Sequence, residues 1–406
     1  MTILQPYGEA VMTSLGFFWK SAWAFVFGYA ISAMIQAFVP QKALTRQLGG
    51  PGLQSLSLAT VFGAASSSCS FAALAAARAL FMKGAHFVVV VAFMFASTNL
   101  VIELGVLILI FLGWQFLAAE LVGGIVLIAV SRMVIKITYP RQWVEAARER
   151  VSADDADEEE FDWRRRLRSR KGWYLVGQKF GDDWLMVWEE ILIGFTVAGF
   201  VAVLVPPAFW ATIFLTAYQG VLPDWLIALE NAVVAPFVAA ATFIGSMGNI
   251  PLATVLNANG VMFAGIMGFI YSDLMVPPLV QVNAKYYGPR LALYIAGIMF
   301  VSIVITALLL HTAFSLLNIV PESRRVVSEI VRFKLDYTFW MNLGAVIVVF
   351  VMIGLRRRFQ TLQDDDGHDH DHHDHGRAWS PKRVIAALAA LVLAGGTAVQ
   401  LMRLTL

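Results

Sequence analysis

The sequence predicts an all-α, polytopic helical membrane protein made of two inverted-topology repeats, each with a broken or re-entrant helical hairpin. Three observations carry this. The chain is 59% hydrophobic and 14% charged, against roughly 25% charged in ordinary soluble domains. Its charges crowd into 139–185, 322–334 and 356–383, and many of the apolar stretches between them reach the roughly 18 residues that cross a bilayer as helix. Two short polar runs interrupt such stretches, Ser66-Ser67-Ser68-Cys69-Ser70 in one half and Gly245-Ser246-Met247-Gly248-Asn249-Ile250-Pro251 in the other. Polar, helix-breaking backbone at membrane depth needs protein or a water-filled cavity around it. A pair in corresponding places points to a transporter site near the midplane.

The elements follow in order. A first span at 14–39 lacks a basic start or small-residue cleavage site ahead of it and reads as an uncleaved anchor. A hairpin at 53–82, broken at the serine run, precedes spans at 86–112 and 118–138, which closes a first repeat at 1–138. The segment 139–185 is a charged linker, acidic from Asp154 to Glu160 and basic from Arg164 to Lys171. A second repeat at 186–313 runs in the same order: a span at 187–205, a hairpin at 226–258, and spans at 262–283 and 290–313. Residues 314–406 add spans at 335–355 and 383–403, with a His/Asp-rich loop at 364–376.

Lys and Arg excess marks cytoplasmic loops, so 141–171 and Arg356-Arg357-Arg358 are expected inside. The second repeat then starts from the opposite face to the first, the pattern of an inverted repeat. The offset that places Ser70 on Ser246 also places Ala77 on Ala253, Leu80 on Leu256, Gly84 on Gly260, Phe87 on Phe263 and Phe93 on Phe269 without a gap.

Candidate solute ligands are Ser66, Ser67, Ser68, Cys69, Ser70, Asn99, Ser246 and Asn249. Serines ahead of an apolar helix suit an N-cap, and a helix N-terminus offers donors to an anionic or electron-rich solute. Small residues that merely permit close helix contact are the plainer alternative. Pro251 lacks a backbone donor and is expected to disrupt the turn before it. Glu103 and Asp273 lie deep in apolar sequence, where an acid costs roughly 2.5–3.5 kcal/mol to insert. They are the candidate coupling residues, a structural ion pair with Arg78 being the alternative for Glu103. His368, His370, His372, His373 and His375 alternate with aspartates in a hydrated run that suits a loosely bound divalent metal or a merely solvated linker.

The single cysteine excludes an internal disulfide. No Walker motif, dinucleotide fingerprint, Cys-x-x-Cys or His-Glu-x-x-His occurs, so ATP-driven transport by this chain alone and standard cofactor chemistry are disfavoured. The net charge of +2 comes from loop residues flanking spans and does not suggest nucleic acid.

Over about 14–313 the chain resembles the predicted permease family that includes the trivalent organoarsenical efflux permeases. The resemblance rests on Gly63 to Leu74, Phe95 to Gly105, Gly248 to Leu252, Phe269 to Leu274 and Lys285 to Gly288. It implies a helical fold with paired repeats in the bacterial inner membrane. Serines flank the only cysteine here, whereas the arsenical branch has a proline-flanked cysteine motif, and Gly245 stands where related members carry a cysteine.

The expectation is a multi-pass secondary permease rather than an enzyme, exporting a small metalloid, metal or related solute by alternating access, with the lipid bilayer and a small-molecule or ion substrate as its partners. Serines 66–70 with Ser246 and Asn249 would hold the solute, and Glu103 or Asp273 would couple protons. A membrane-embedded thiol enzyme using Cys69 and a metal-sensing membrane subunit are the alternatives.

Overall fold

The computed structural model describes residues 4–38, 50, 52–66, 70–151, 167–242, 244–321, 327–331, 333–365 and 381–405. Ser67, Ser68, Cys69 and the five loop histidines lie outside the described residues. Helices in chain order are α1 (Leu4–Phe38), α2 (Leu53–Ser66), α3 (Ser70–Met82), α4 (Phe87–Asn99), α5 (Ile102–Phe111), α6 (Trp114–Thr138), α7 (Arg141–Val151) and α8 (Arg170–Leu204). There follow α9 (Pro207–Ile213), α10 (Asp224–Thr242), α11 (Ser246–Ala258), α12 (Phe263–Ile270), α13 (Pro277–Tyr287), α14 (Pro289–Leu316), α15 (Val327–Ile330), α16 (Tyr337–Asp365) and α17 (Pro381–Thr405). No strand occurs among the described residues.

Six of these, α1, α6, α8, α10, α14 and α16, are long and apolar enough to cross a membrane, and α4 with α5 makes a seventh bent by 45°. The expected spans at 86–112 and 262–283 are therefore interrupted rather than continuous. At Val276 the cause is plain: the Pro277-Pro278 pair pushes the preceding residue into extended backbone (φ −61°, ψ 139°). Helix α8 starts at Arg170, within the segment that the charges mark as a linker. Pro251 does not break its helix. It sits inside α11, and the interruption lies ahead of it at Gly245, extended at φ −77°, ψ 175°.

The chain forms two compact units, each drawing on both halves of the sequence. The first holds Met1–Pro40, Glu160–Leu204 and Val331–Leu406. There α1 and α8 run antiparallel, with Ser14 Oγ donating to the Thr196 carbonyl (3.3 Å) and Gln36 Nε2 to Asp183 Oδ2 (2.7 Å). A Cβ at Gly199 would overlap Ser14, so glycine sets this close approach. Helices α16 and α17 each pack on both α1 and α8.

The second unit holds Gln41–Glu159 and Val205–Ile330, and its element boundaries recur. The offset that carries Ser70 to Ser246 also carries Met82 to Ala258, so α3 maps onto α11 end to end. It carries the end of α2 at Ser66 to that of α10 at Thr242 and the start of α4 at Phe87 to that of α12 at Phe263. Gly84 (φ 89°) falls on Gly260 (φ 81°), a left-handed backbone at both turns that suits glycine. Past the next interruption the offset shortens by a single position, from α5 at Ile102 to α13 at Pro277 and from α6 at Trp114 to α14 at Pro289.

Contacts recur as well. Helix α2 packs on α4 as α10 packs on α12, and α3 meets α13 as α11 meets α5. The long helices α6 and α14, equivalent under this offset, run antiparallel. Thr138 near the end of α6 touches Tyr294 near the start of α14 (2.9 Å), and a Cβ at Gly123 would crowd Leu310 (2.5 Å).

Candidate functional site

Four helix interruptions of the second unit are bordered by buried polar residues, Ser66 and Ser70, Asn99, Ser246, and Ser272 with Asp273. Ser70 opens α3, and its hydroxyl donates to Asp273 Oδ2 at 3.1 Å, with both residues buried. A residue at the serine break of the first half is thus bonded to an interruption in the second. Close contact of α2 with α4 places this break: a Cβ at Gly63 would come within 2.6 Å of Ala96 Cβ and 2.8 Å of the Phe93 carbonyl. Ser66, at the end of α2, donates to the Gly63 carbonyl (2.8 Å).

Asn99 ends α4, its amide donating to the Phe95 carbonyl (3.1 Å) and Thr98 Oγ1 (3.3 Å), while its Oδ1 has no hydrogen-bond partner among the described residues. Glu103 lies in the first turn of α5, whose cap, Val101, supplies no side-chain bond. A carboxylate there complements the free N–H groups and positive dipole end, so Glu103 has a local reason to sit where it does. The Arg78 guanidinium lies over the Tyr286 ring at 4.9 Å.

In the second half, Ser246 is the first residue of α11, capped by Gly245 without a side-chain bond. Asn249, one turn in, is fully buried, and neither Nδ2 nor Oδ1 finds a partner among the described residues. An unsatisfied buried amide costs roughly 1–3 kcal/mol, and native proteins carry few of them. Helix α11 packs on α5, which carries Glu103, and on the 3₁₀ turn Asp273–Met275. The turn is fixed in part by Ser272, whose hydroxyl bonds the Gly268 carbonyl.

Glu120 and Tyr271 complete the site, and neither stands out in the sequence. Glu120, in α6, is 1% exposed with both carboxylate oxygens unpartnered among the described residues. The hydroxyl of Tyr271, two residues before Asp273 in the chain, donates to the carbonyl of Ala119, the neighbour of Glu120, at 3.0 Å. Gly123 leaves the room: a Cβ there would overlap that hydroxyl oxygen. The sequence does carry a signal, an acid one turn before Gly123-Gly124, but it stands near the start of its span, where acids are usually interfacial. Ser70, Asn99, Asp273, Ser246 and Asn249 are all buried in this unit. Among the described residues no group of three His, Cys, Asp or Glu is placed to hold a metal ion.

A family described as "Predicted permease" (ArsP_1) matches residues 7–312. A protein of Mycobacterium tuberculosis named "Putative permease Rv2963" is 34% identical over 355 residues, covering 83% of this chain and 86% of its own length. No solved structure matches the chain. With the membrane-length helices and buried helix breaks in place, the chain belongs to the predicted permease family, as a multi-pass membrane protein.

Proposed function

We propose that this protein is a secondary permease, moving a small solute across the bacterial inner membrane by alternating access of two inverted repeats. One observation carries the reading: the Ser70–Asp273 hydrogen bond joins a buried break of one repeat to that of the other. A solute site built from discontinuous helices at a repeat interface has this construction. Ser66 to Ser70, Asn99, Ser246 and Asn249 hold the solute, and Asp273, with Glu103, couples its movement to protons. Reciprocal contacts, α3 on α13 and α11 on α5, fit a two-fold relation between the repeats. The antiparallel course of the equivalent helices α6 and α14, and of α1 and α8, supports inversion. A two-fold axis along the membrane normal would leave equivalent spans parallel.

Export of a trivalent metalloid or a divalent metal ion is the favoured task. The His/Asp run at 364–376 gathers divalent metal loosely on the cytoplasmic side, where the flanking arginines place it under the positive-inside rule. The test is accumulation of arsenite, antimonite, methylarsenite, zinc, nickel and cadmium in cells expressing the wild type, Asp273→Asn or no protein. At least one solute should fall in wild-type cells and recover in Asp273→Asn cells at equal protein level. Equal accumulation of every solute in all three strains rejects the assignment.

A further inference from the structure

Glu120 is an unusual acid even for a transport protein. Its carboxylate is buried and hydrogen-bonded to nothing among the described residues, and the turn that holds a second buried carboxylate, Asp273, reaches its helix through the bond from Tyr271 to the Ala119 carbonyl; Asp273 itself is anchored by the Ser70 hydroxyl. Two negative charges at close quarters in a low-dielectric interior repel, and neither is retained there without compensation.

No base on the neighbouring elements is hydrogen-bonded to Glu120 among the described residues. Helices α4 and α12 contain no titratable side chain, and α5 contributes only Glu103. On α14, Tyr294 bonds Thr138 near the far end of α6, Arg290 lines a cavity with Trp143 and Tyr287, and His311 lies beside Phe263 with 6.4 Å between ring centroids, its Nδ1 buried without a hydrogen-bond partner among the described residues. Around the Asp273 turn, α11 is free of titratable groups, Lys285 sits in the last turn of α13 away from Asp273, and Glu230 of α10 is bonded to Asn231. Arg78 of α3 is stacked on Tyr286.

What the site does offer is oxygen. Tyr271 donates its proton to the carbonyl of Ala119, one residue before Glu120, which leaves the lone pairs of its oxygen free, and Gly123, one turn on, keeps that position open. Carboxylate, hydroxyl and phenol oxygens suit hard cations, and soft ions favour sulfur. We propose that Glu120 and Asp273, with Ser70 and Tyr271, form a site for one exchangeable monovalent cation, a proton or an alkali metal ion. The bound cation neutralises one of the two charges and leaves when the site opens to water. As the coupling site of transport it rests on the permease reading; as a cation site it does not. It adds Glu120 to the coupling acids Glu103 and Asp273.

The experiment uses the full chain, purified in lipid nanodiscs, with infrared difference spectra of the carboxyl region. One arm varies pH in choline chloride, and the other exchanges sodium or lithium for choline at fixed pH. Wild-type protein should show a carboxyl band that changes in one arm, and the responding arm identifies the ion. The band should vanish in Glu120→Gln, move in Asp273→Asn and persist at a shifted position in Glu120→Asp. An identical response in Glu120→Gln, an unmoved band in Asp273→Asn, or no response in either arm overturns the site. If Glu120→Gln does not fold, an unshifted band in Glu120→Asp does so instead. Solute accumulation in cells is read separately. A band that obeys the proposal in a protein that changes no solute's level upholds the cation site and rejects the permease.

Discussion

Charged groups are treated in opposite ways in the two units. In the first, Lys20 in α1 meets Asp336 at 2.7 Å and adds a bond to Thr338, and Glu189 in α8 meets Arg383 at 3.2 Å. In the second, Glu120 and Asn249 are buried with no hydrogen-bond partner among the described residues. Both units use glycine to bring helices together, Gly199 in one and Gly63 in the other. The difference is therefore not in how the helices meet but in whether a buried acid meets a base, as Glu189 does and Glu120 does not among the described residues. Buried polar groups without partners oppose stability, and sites that break the rule tend to be functional.

The shared glycine contacts give the largest expected effect. Gly199→Leu and Gly63→Leu each force a side chain into backbone and should each cost about 3 kcal/mol, read as a lower unfolding temperature and loss of monodisperse protein in detergent. Tolerance in one unit alone would show that contact quality, too, separates the units.

The acids come next. Glu189→Gln should lower stability by about 1 kcal/mol, modest because Arg383 is half exposed. Glu120→Gln should leave the unfolding temperature unchanged or raise it, since it removes a charge that no base balances. Equal destabilisation in both would mean that Glu120 is paired after all. Asn249→Leu, which keeps the branching of the side chain, should change stability by less than about 2 kcal/mol, because removal of an unsatisfied amide offsets the added bulk, while abolishing solute movement. A large loss of folded protein would assign the amide to structure.

The smallest effect is a pH dependence. The hydrogen bond from Lys20 holds the Asp336 carboxyl below its usual range. A lowered acid stabilises the fold above its unfolded pKa and loses that contribution as pH falls through the folded value. Lys20→Met should flatten the acid side of the unfolding curve. An unchanged acid limb would show that the pair contributes nothing.

The helical membrane class is legible in the sequence, because charge depletion over span lengths has few other solutions. Ser70, Asp273, Ser246 and Asn249 are legible too, since polar residues inside apolar runs are costly. The interruption at Val276 is readable in principle from Pro277-Pro278, but an apolar window averages over it. Glu120 escapes such reading, because its depth depends on how α6 sits among α4, α5, α12 and α14, and hydropathy says nothing of that. The offset between Ser70 and Ser246 rests, in sequence, on six identities; the coincident helix ends and glycine turns give it far more weight.

The single-position slip in that offset falls within the interruption that holds Asn99 in one half and Asp273 in the other. At the later register Glu120 corresponds to Ile295, a buried hydrocarbon. In an alternating-access cycle, two identical repeats would make the inward-open and outward-open forms mirror states of equal energy, each occupied half of the time. Under the proposed cycle, one missing residue and one unmatched acid would lift that degeneracy. A difference of about 1.4 kcal/mol is a tenfold bias in occupancy, so under the proposed cycle a departure of that size from an exact repeat would give the resting protein a preferred side.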